Sequence, residues 1–355
     1  MRDAVSSVDD SSLPIAAFRE GPAQWTDNVL GALCFSANLD APQTETDIPC
    51  LHVPMRRLDA EQSICEVWHG RDKLTRGRSG AIHYRHDADV LFGVVILPET
   101  LFEAVADKTP LQQATESAYR QVFSLLETLR YPYLFRFWNY IADINTHSFG
   151  LERYCQFNLG RQDAFLAHGR EVTGNVPAAC ALGFGQESAT PGSLTIAFLA
   201  GRVAPRSIEN PRQISAYQYP EQYGPRSPTF SRASLVRLGE EEVLFISGTA
   251  SIVGHDTLHP TDVVAQTRET MINIEAVLGQ ANNQASHVRF DLATLAYKVY
   301  IRAASDLGRI RAELTRIIGG PPNAMYLQAD VCRQDLLLEI EATGGHSVFV
   351  HGNAN

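Results

Sequence analysis

The sequence predicts an α+β protein made of two copies of one β-β-α-β-β unit, each a mixed sheet with helices packed on one face, the first copy degenerate. Three observations predict this. Two apolar, β-branched runs of strand type are each followed by a helical pattern. Aromatic strand-like segments follow both helices. A proline-rich stretch divides the two series.

The opening of the chain is polar or mixed, and residues 41–49 (APQTETDIP) read as loop. Residues 90–97 (VLFGVVIL) and 243–253 (VLFISGTASIV) are the paired strand runs, aligned at an offset of 153 so that Leu91 matches Leu244 and Phe92 matches Phe245. Residues 114–126 (ATESAYRQVFSLL) and 266–278 (QTRETMINIEAVL) are the helices, aligned at 152. Thr115, Tyr119, Val122 and Leu126 match Thr267, Met271, Ile274 and Leu278, at the three- and four-residue intervals of one buried helix face. Then come 135–142 (FRFWNYIA) and 295–302 (LAYKVYIR), and finally 177–182 with 193–200, resembling 325–331 with 336–342. Between the series, residues 201–230 hold five prolines, each removing a backbone donor and fixing φ, so no long helix or central strand is expected there. The chain is therefore divided into residues 1–204 and 205–355.

The two copies differ where chemistry is expected. The last strand of the second reads LLLEIEATGG, with Glu339 and Glu341 two apart and on one face. By hand alignment with LTIAFLAGR, Ile196 stands opposite Glu339 and Phe198 opposite Glu341, so the first copy carries no acids there. Such a pair is either an exposed strand face or holds a buried functional acid. Apolar neighbours on both faces favour the second, because desolvation raises a carboxyl pKa and suits a general acid.

With 30 basic and 40 acidic residues, the net charge of −10 argues against a general attraction to nucleic acid or anionic lipid. An anionic ligand must then meet local arginines. No apolar run has the length of a membrane span and the start lacks a secretory h-region, so a cytoplasmic protein is expected. Six dispersed cysteines without a CxxC pair suggest reduced thiols rather than disulfides or zinc. His255, Asp256 and His259 share a loop without a fourth ligand, LGFGQES is no dinucleotide motif, and no GxSxG elbow occurs, so neither metal nor organic cofactor is expected. Arg153, Arg161, Arg226 and Arg302 are the candidate carboxylate receptors. Tyr217, Tyr219 and Tyr223 punctuate the proline segment, either packing on a domain surface or bonding a ligand. Cys332 lies seven residues before Glu339, as a small buried hydrophobe or as part of the site.

Residues 223–344 resemble the RidA (reactive-intermediate deaminase) family. YGPRSPTFSRA is similar to that family's GPYSQA, LFISGTA to its strand ending in SGQ, DVVAQTRETMINIEAVL to its AAQTRQ helix, and LLLEIEA to its IEIEA strand. Over the longer chain, ERYCQFNLGR, AYQYPEQYGPRSP, ISGTASIVGHDTLHPTDVVAQTRET and LQADVCRQDLLLEIEA resemble the chorismatase family, in which a RidA-like unit is joined to a degenerate second one. The resemblance is strong from Glu152 onward and weak over the first 90 residues.

That resemblance implies a substrate, chorismate, and a cofactor-independent cleavage in which Glu339 protonates the enolpyruvyl methylene. Arg153, Arg161, Arg226, Arg302, Tyr217 and Tyr223 are the implied binding groups. Small RidA proteins hold an imine carboxylate with an arginine fifteen residues before the first Glu of IEIE. Here that position is Ala324, which argues against imine deamination. Cys332, and Gly248 in place of alanine in the SGTA strand, resemble the aromatising class, whose bifunctional members supply xanthomonadin pigment synthesis. This implies 3-hydroxybenzoate as main product, with 4-hydroxybenzoate also formed, and pyruvate. The alternatives are a non-catalytic RidA-type metabolite-binding module and an imine deaminase. RidA units form trimers, so either a monomer or a homotrimer is expected.

Overall fold

The computed structural model describes residues 16–20, 25, 27–37, 47–71, 73–105, 107–185 and 193–346. A small four-stranded sheet comes first, from β1 (Ala16–Glu20), β2 (Val29–Phe35), β3 (Cys50–Val53) and β4 (Ile64–His69), in the order β1-β4-β2-β3. The sequence reading did not anticipate this sheet. Its strands alternate: Leu33, Phe35 and Trp68 point into the main core, while Cys34, Cys65 and Val67 form a second, outer cluster.

The first large unit runs through β5 (Thr75–Ser79), β6 (Ile82–His86), β7 (Val90–Pro98), α1 (Pro110–Leu129), β8 (Tyr133–Ala142), the hairpin β9 (His147–Ser148) and β10 (Leu151–Glu152), α2 (Arg153–Ala167), β11 (Ala178–Phe184) and β12 (Ser193–Gly201). The second runs through β13 (Arg206–Ile208), β14 (Ala233–Leu238), β15 (Glu241–Thr249), the hairpin β16 (Ile252–Val253) and β17 (Asp256–Thr257), α3 (Val263–Gln284), β18 (Ala296–Ile301), α4 (Leu307–Ile318), β19 (Asn323–Gln328), β20 (Asp330–Val331) and β21 (Leu338–Gly344). The two sheets share one strand order, β6-β7-β12-β8-β11 in the first and β14-β15-β21-β18-β19 in the second. In each, only the last pair is parallel. The duplication is therefore real at the level of topology. Each copy carries a second helix, α2 or α4, beyond the β-β-α-β-β order read from the sequence.

Local signals explain the helix ends. Thr109 caps α1, its hydroxyl accepting from the Gln112 amide at 3.2 Å, and Pro110 fills the first turn where no amide donor is needed. Asp262 caps α3 by accepting from the amides of Val264 and Ala265 at 3.0 and 3.1 Å. Tyr119, Val122 and Leu126 face one core with Phe137 and Ile196; Met271, Ile274 and Leu278 face another with Val299 and Ile340. Fully burying each such side chain contributes roughly 1.5–3 kcal/mol. Helices thus cover the outer faces. The inner faces pack on each other and on the small sheet through Trp68, Trp138, Tyr140, Phe245, Tyr300 and Leu327.

Two expectations are corrected here. Cys34 and Cys65 form a disulfide, because they are direct cross-strand partners on β2 and β4 although 31 residues apart in sequence. The hand alignment was also one residue out. Ile196 and Phe198 lie on the helix-covered face with Leu194, as Ile340 does, whereas Ala197 and Leu199 point into the inter-sheet core. Since Tyr140 pairs with Thr195 as Tyr300 pairs with Glu339, the counterparts of Glu339 and Glu341 are Thr195 and Ala197. A slip of one exchanges the two faces of a strand. The first copy still has no acid at either place.

Candidate active site

Glu339 and Glu341 sit on the inner face of β21, 4% and 2% exposed. Their surroundings set them apart. Glu341 is fully partnered: Arg136 and Lys298 form ion pairs with it, and the Trp138 indole and the Tyr300 hydroxyl donate to it, each at 3.2 Å. Lys298 also pairs with Glu66 of β4. This knot ties both large sheets to the small one, and the two cations hold the Glu341 carboxyl below its usual range against the cost of burial. Glu339 has no cation in ion-pair contact among the described residues. Burial, and secondly the Glu341 charge, push its carboxyl up to about 8. Two acids from one strand therefore take opposite protonation states near neutrality.

The backbone makes room for the neutral one. Where β15 runs beside β21, the register breaks between Ile246, opposite Ala342, and Thr249, opposite Ile340. Gly248 lies in this bulge, and a Cβ there would come within 1.8 Å of Glu339 Oε1. Glycine is required because the carboxyl occupies that space. Ser247 in the same bulge joins the units: its hydroxyl donates to the Ser231 carbonyl at 2.6 Å and accepts from the Ala179 amide of β11 at 2.9 Å.

Glu339 and Gly248 open onto a cavity of about 700 Å³, walled by α2, β10 and β11 of the first unit, by the segment from Tyr219 to Arg232, and by the second unit's Cys332, Arg333 and Leu336. Of the residues expected from the sequence, the structure brings Glu339, Cys332, Arg161, Tyr223 and Gly248 together here. The other four do not line it. Arg153, the first residue of α2, is buried in a bidentate pair with Glu99, which follows β7. Arg302 is spent on Asp330, Asn145 and the carbonyls of Leu336, Val331 and Arg333, fastening the loop that carries Cys332. Arg226 is exposed and Tyr217 half-buried outside the cavity.

The cavity's cations are Arg161, Arg232 and Arg333. Arg161, 2% exposed, bonds Asn158 at 2.7 Å and lies 4.9 Å over the Phe157 ring, and its buried Nε meets no partner among the described residues. Arg333 stacks over Tyr223 at 3.9 Å and Tyr219 at 5.1 Å and bonds the His255 carbonyl at 2.8 Å, leaving a buried Nη2 without a partner. Neither pairs with a carboxylate among the described residues. Arg232 bonds the Ile214 carbonyl at 2.7 Å and the Tyr219 hydroxyl at 2.9 Å, and its charge acts on Glu209. Arg232 Nε is likewise buried without a partner among the described residues, so three guanidinium groups in one cavity keep unused donors. The two whose charge no described carboxylate engages, buried Arg161 and half-buried Arg333, suit a ligand with two carboxylates.

Sequence reading missed Arg232, Arg333, Tyr154, Cys180, Cys155 and Glu152. Only adjacency offered a signal, Arg333 following Cys332 and Tyr154 following Arg153. Cys332 is a thiol, pushed up to about 12 by burial and then by the Glu339 charge. Tyr154 is held above its ordinary value by burial. Among the described residues no group of three or more His, Cys, Asp or Glu could hold a metal ion, and no helix is long and apolar enough to cross a membrane.

Comparison with known proteins agrees with this architecture. Residues 66–200 match the family described as "Chorismatase FkbO/Hyg5-like, N-terminal", and residues 229–344 match "Endoribonuclease L-PSP". The chain is 35% identical over 323 residues to a protein of Streptomyces hygroscopicus named 3-hydroxybenzoate synthase, covering 88% of this chain and 91% of that one. It is 36% identical over 288 residues to a chorismatase of Streptomyces rapamycinicus, covering 79% and 82%. A solved chorismatase superposes with a TM-score of 0.81 at 30% identity, covering 94% of this chain and 98% of that one. The duplicated fold, and relatives of 35% and 36% identity matched over 79–91% of each chain, make this chain a member of the chorismatase family.

Proposed function

We propose that this chain cleaves chorismate to pyruvate and 3-hydroxybenzoate, with 4-hydroxybenzoate as a second aromatic product, and that Glu339 is its proton donor. With a pKa of about 8, roughly nine-tenths of the acid is protonated at pH 7.

Chorismate is a dianion with a ring carboxylate, an enolpyruvyl carboxylate and a ring hydroxyl. Arg161 and Arg333 have the free donors to take one carboxylate each. Glu339 then passes its proton to the terminal methylene of the enol ether, which becomes the methyl of pyruvate, and the positive charge falls on the ether carbon. The substrate's carboxylates offset that charge. The oxygen that captures the cation, from water or from the ring hydroxyl, sheds the proton that reloads Glu339. In the water route the hemiketal then collapses, its hydroxyl proton passing to the ring oxygen as the bond between that oxygen and the ether carbon breaks and pyruvate leaves. General acid catalysis of this kind contributes about 10²–10⁴-fold. Pyruvate and hydroxybenzoate together contain the atoms of chorismate, so the aromatising route consumes no water overall.

The aromatic product is supported by the 3-hydroxybenzoate synthase relative and by Gly248 and Cys332, which stand beside Glu339 in the cavity. The same reading places the division of the chain near residues 204 and 205, just before β13. Incubation with chorismate, with pyruvate measured enzymatically and ring products by chromatography, tests it. Pyruvate with a hydroxybenzoate is expected. Calorimetric binding of chorismate with no product would instead favour a binding module.

A further inference from the structure

Resting on the reading just given, we infer that Glu152 is the base that takes the ring proton when the arene forms, so that the product class is decided from the first unit's wall of the cavity. The second unit supplies the acid, Glu339. The first would then supply the base.

Glu152 ends β10 and stands at the cap position of α2 without making a cap bond, so its side chain is free to face the cavity it lines. Its oxygens meet only weak, long donors, Asn145 Nδ2 at 3.4 Å and Cys155 Sγ at 3.9 Å. No lysine or arginine pairs with it among the described residues. In a cavity shaped for a doubly negative guest, an unpaired carboxylate weakens binding, so its presence calls for a chemical use. Half-burial raises its carboxyl above the usual range and makes the anion a better proton acceptor. The Cys332 thiol responds to the charges of both Glu339 and Glu152. With its pKa pushed up to about 12 the thiol stays protonated near neutrality and is no proton acceptor there.

Arene formation breaks one C–H bond on an oxygen-bearing ring carbon. The electron pair becomes the last ring double bond, while the C–O bond on the adjacent carbon breaks with its pair on oxygen. The C–H proton goes to Glu152. The departing oxygen takes a proton from Cys332, and Glu152 returns its proton to the sulfur, so both residues end as they began. A dihydroxycyclohexadiene product keeps that C–H bond and the adjacent C–O bond and needs no such base.

The test uses full-length wild type, Glu152→Gln and Glu152→Asp with chorismate, reading pyruvate and the aromatic fraction of the ring products separately. In Glu152→Gln the aromatic fraction of the ring products, taken relative to pyruvate, is expected to fall about tenfold or more, with the dihydroxycyclohexadiene carboxylate accumulating. Glu152→Asp is expected to recover part of the aromatic fraction. The ratio separates this from misfolding, which lowers both products together. Pyruvate with an unchanged aromatic fraction in Glu152→Gln would overturn the role of Glu152 alone, pointing to Glu339 as the acceptor after it has given up its proton. Wild type that forms no pyruvate would overturn the chorismate reading itself.

Discussion

Holding Glu339 neutral has a thermodynamic signature that does not depend on knowing the substrate. Its carboxyl is raised from 4.5 to about 8 in the fold, so between those values the folded chain binds a proton that the unfolded chain has released. Stability due to this group is fully present below pH 4.5 and is lost as the pH rises through 8. Glu339→Gln keeps the shape without the titration. The variant should therefore gain on wild type by about 1.4 kcal/mol per pH unit within that window. From pH 5 to pH 8 the gain sums to about 3.5 kcal/mol, most of it, about 2.5 kcal/mol, reached by pH 7. Urea unfolding of both proteins at pH 5, 6, 7 and 8 measures this difference. A difference that stays flat with pH would mean that Glu339 titrates normally, and the proposed proton donor would lose its physical basis.

Other perturbations have equally definite outcomes. Gly248→Ala places a methyl where Glu339 Oε1 now lies; kcat for pyruvate release should fall roughly 10²-fold, as a displacement of about 1 Å can cost that much, with little change in Tm. Arg161→Met and Arg333→Met each remove a charged donor worth about 1.5–3 kcal/mol, and kcat/KM should fall roughly 10–100-fold; an unchanged kcat/KM in both would remove the two-carboxylate clamp. Lys298→Met strands Glu66 in the core and leaves Glu341 with Arg136 as its remaining cation, and should destabilise the fold by about 3–5 kcal/mol in urea unfolding. Cys332→Ala should change the ratio of aromatic products seen by chromatography, and an identical ratio would show the thiol to be a packing residue.

Periodicity made most of the large units legible, because the matched helix faces and strand runs each carry their own repeat over many residues. The prediction failed where one residue decides the outcome. The face of β12 depended on a slip of one that a hand alignment could not resolve. Glu339 and Glu341 were visible as a same-face pair, but which was the neutral one depended on Arg136 and Lys298, residues 205 and 43 positions from Glu341. Arg153 and Arg302 looked like substrate receptors because a guanidinium motif in sequence does not reveal that Glu99 or Asp330 already occupies it. Arg232 and Arg333 were hidden for the converse reason. The Cys34–Cys65 disulfide required knowing that β2 and β4 are neighbours, which no local pattern announced.

The most direct test of the central claim is single-turnover pyruvate release from chorismate at pH 6.5, comparing wild type with Glu339→Gln. If the buried acid donates the proton, the variant should still bind chorismate while its rate drops about 10²-fold or more. A variant that releases pyruvate at the wild-type rate would contradict the account.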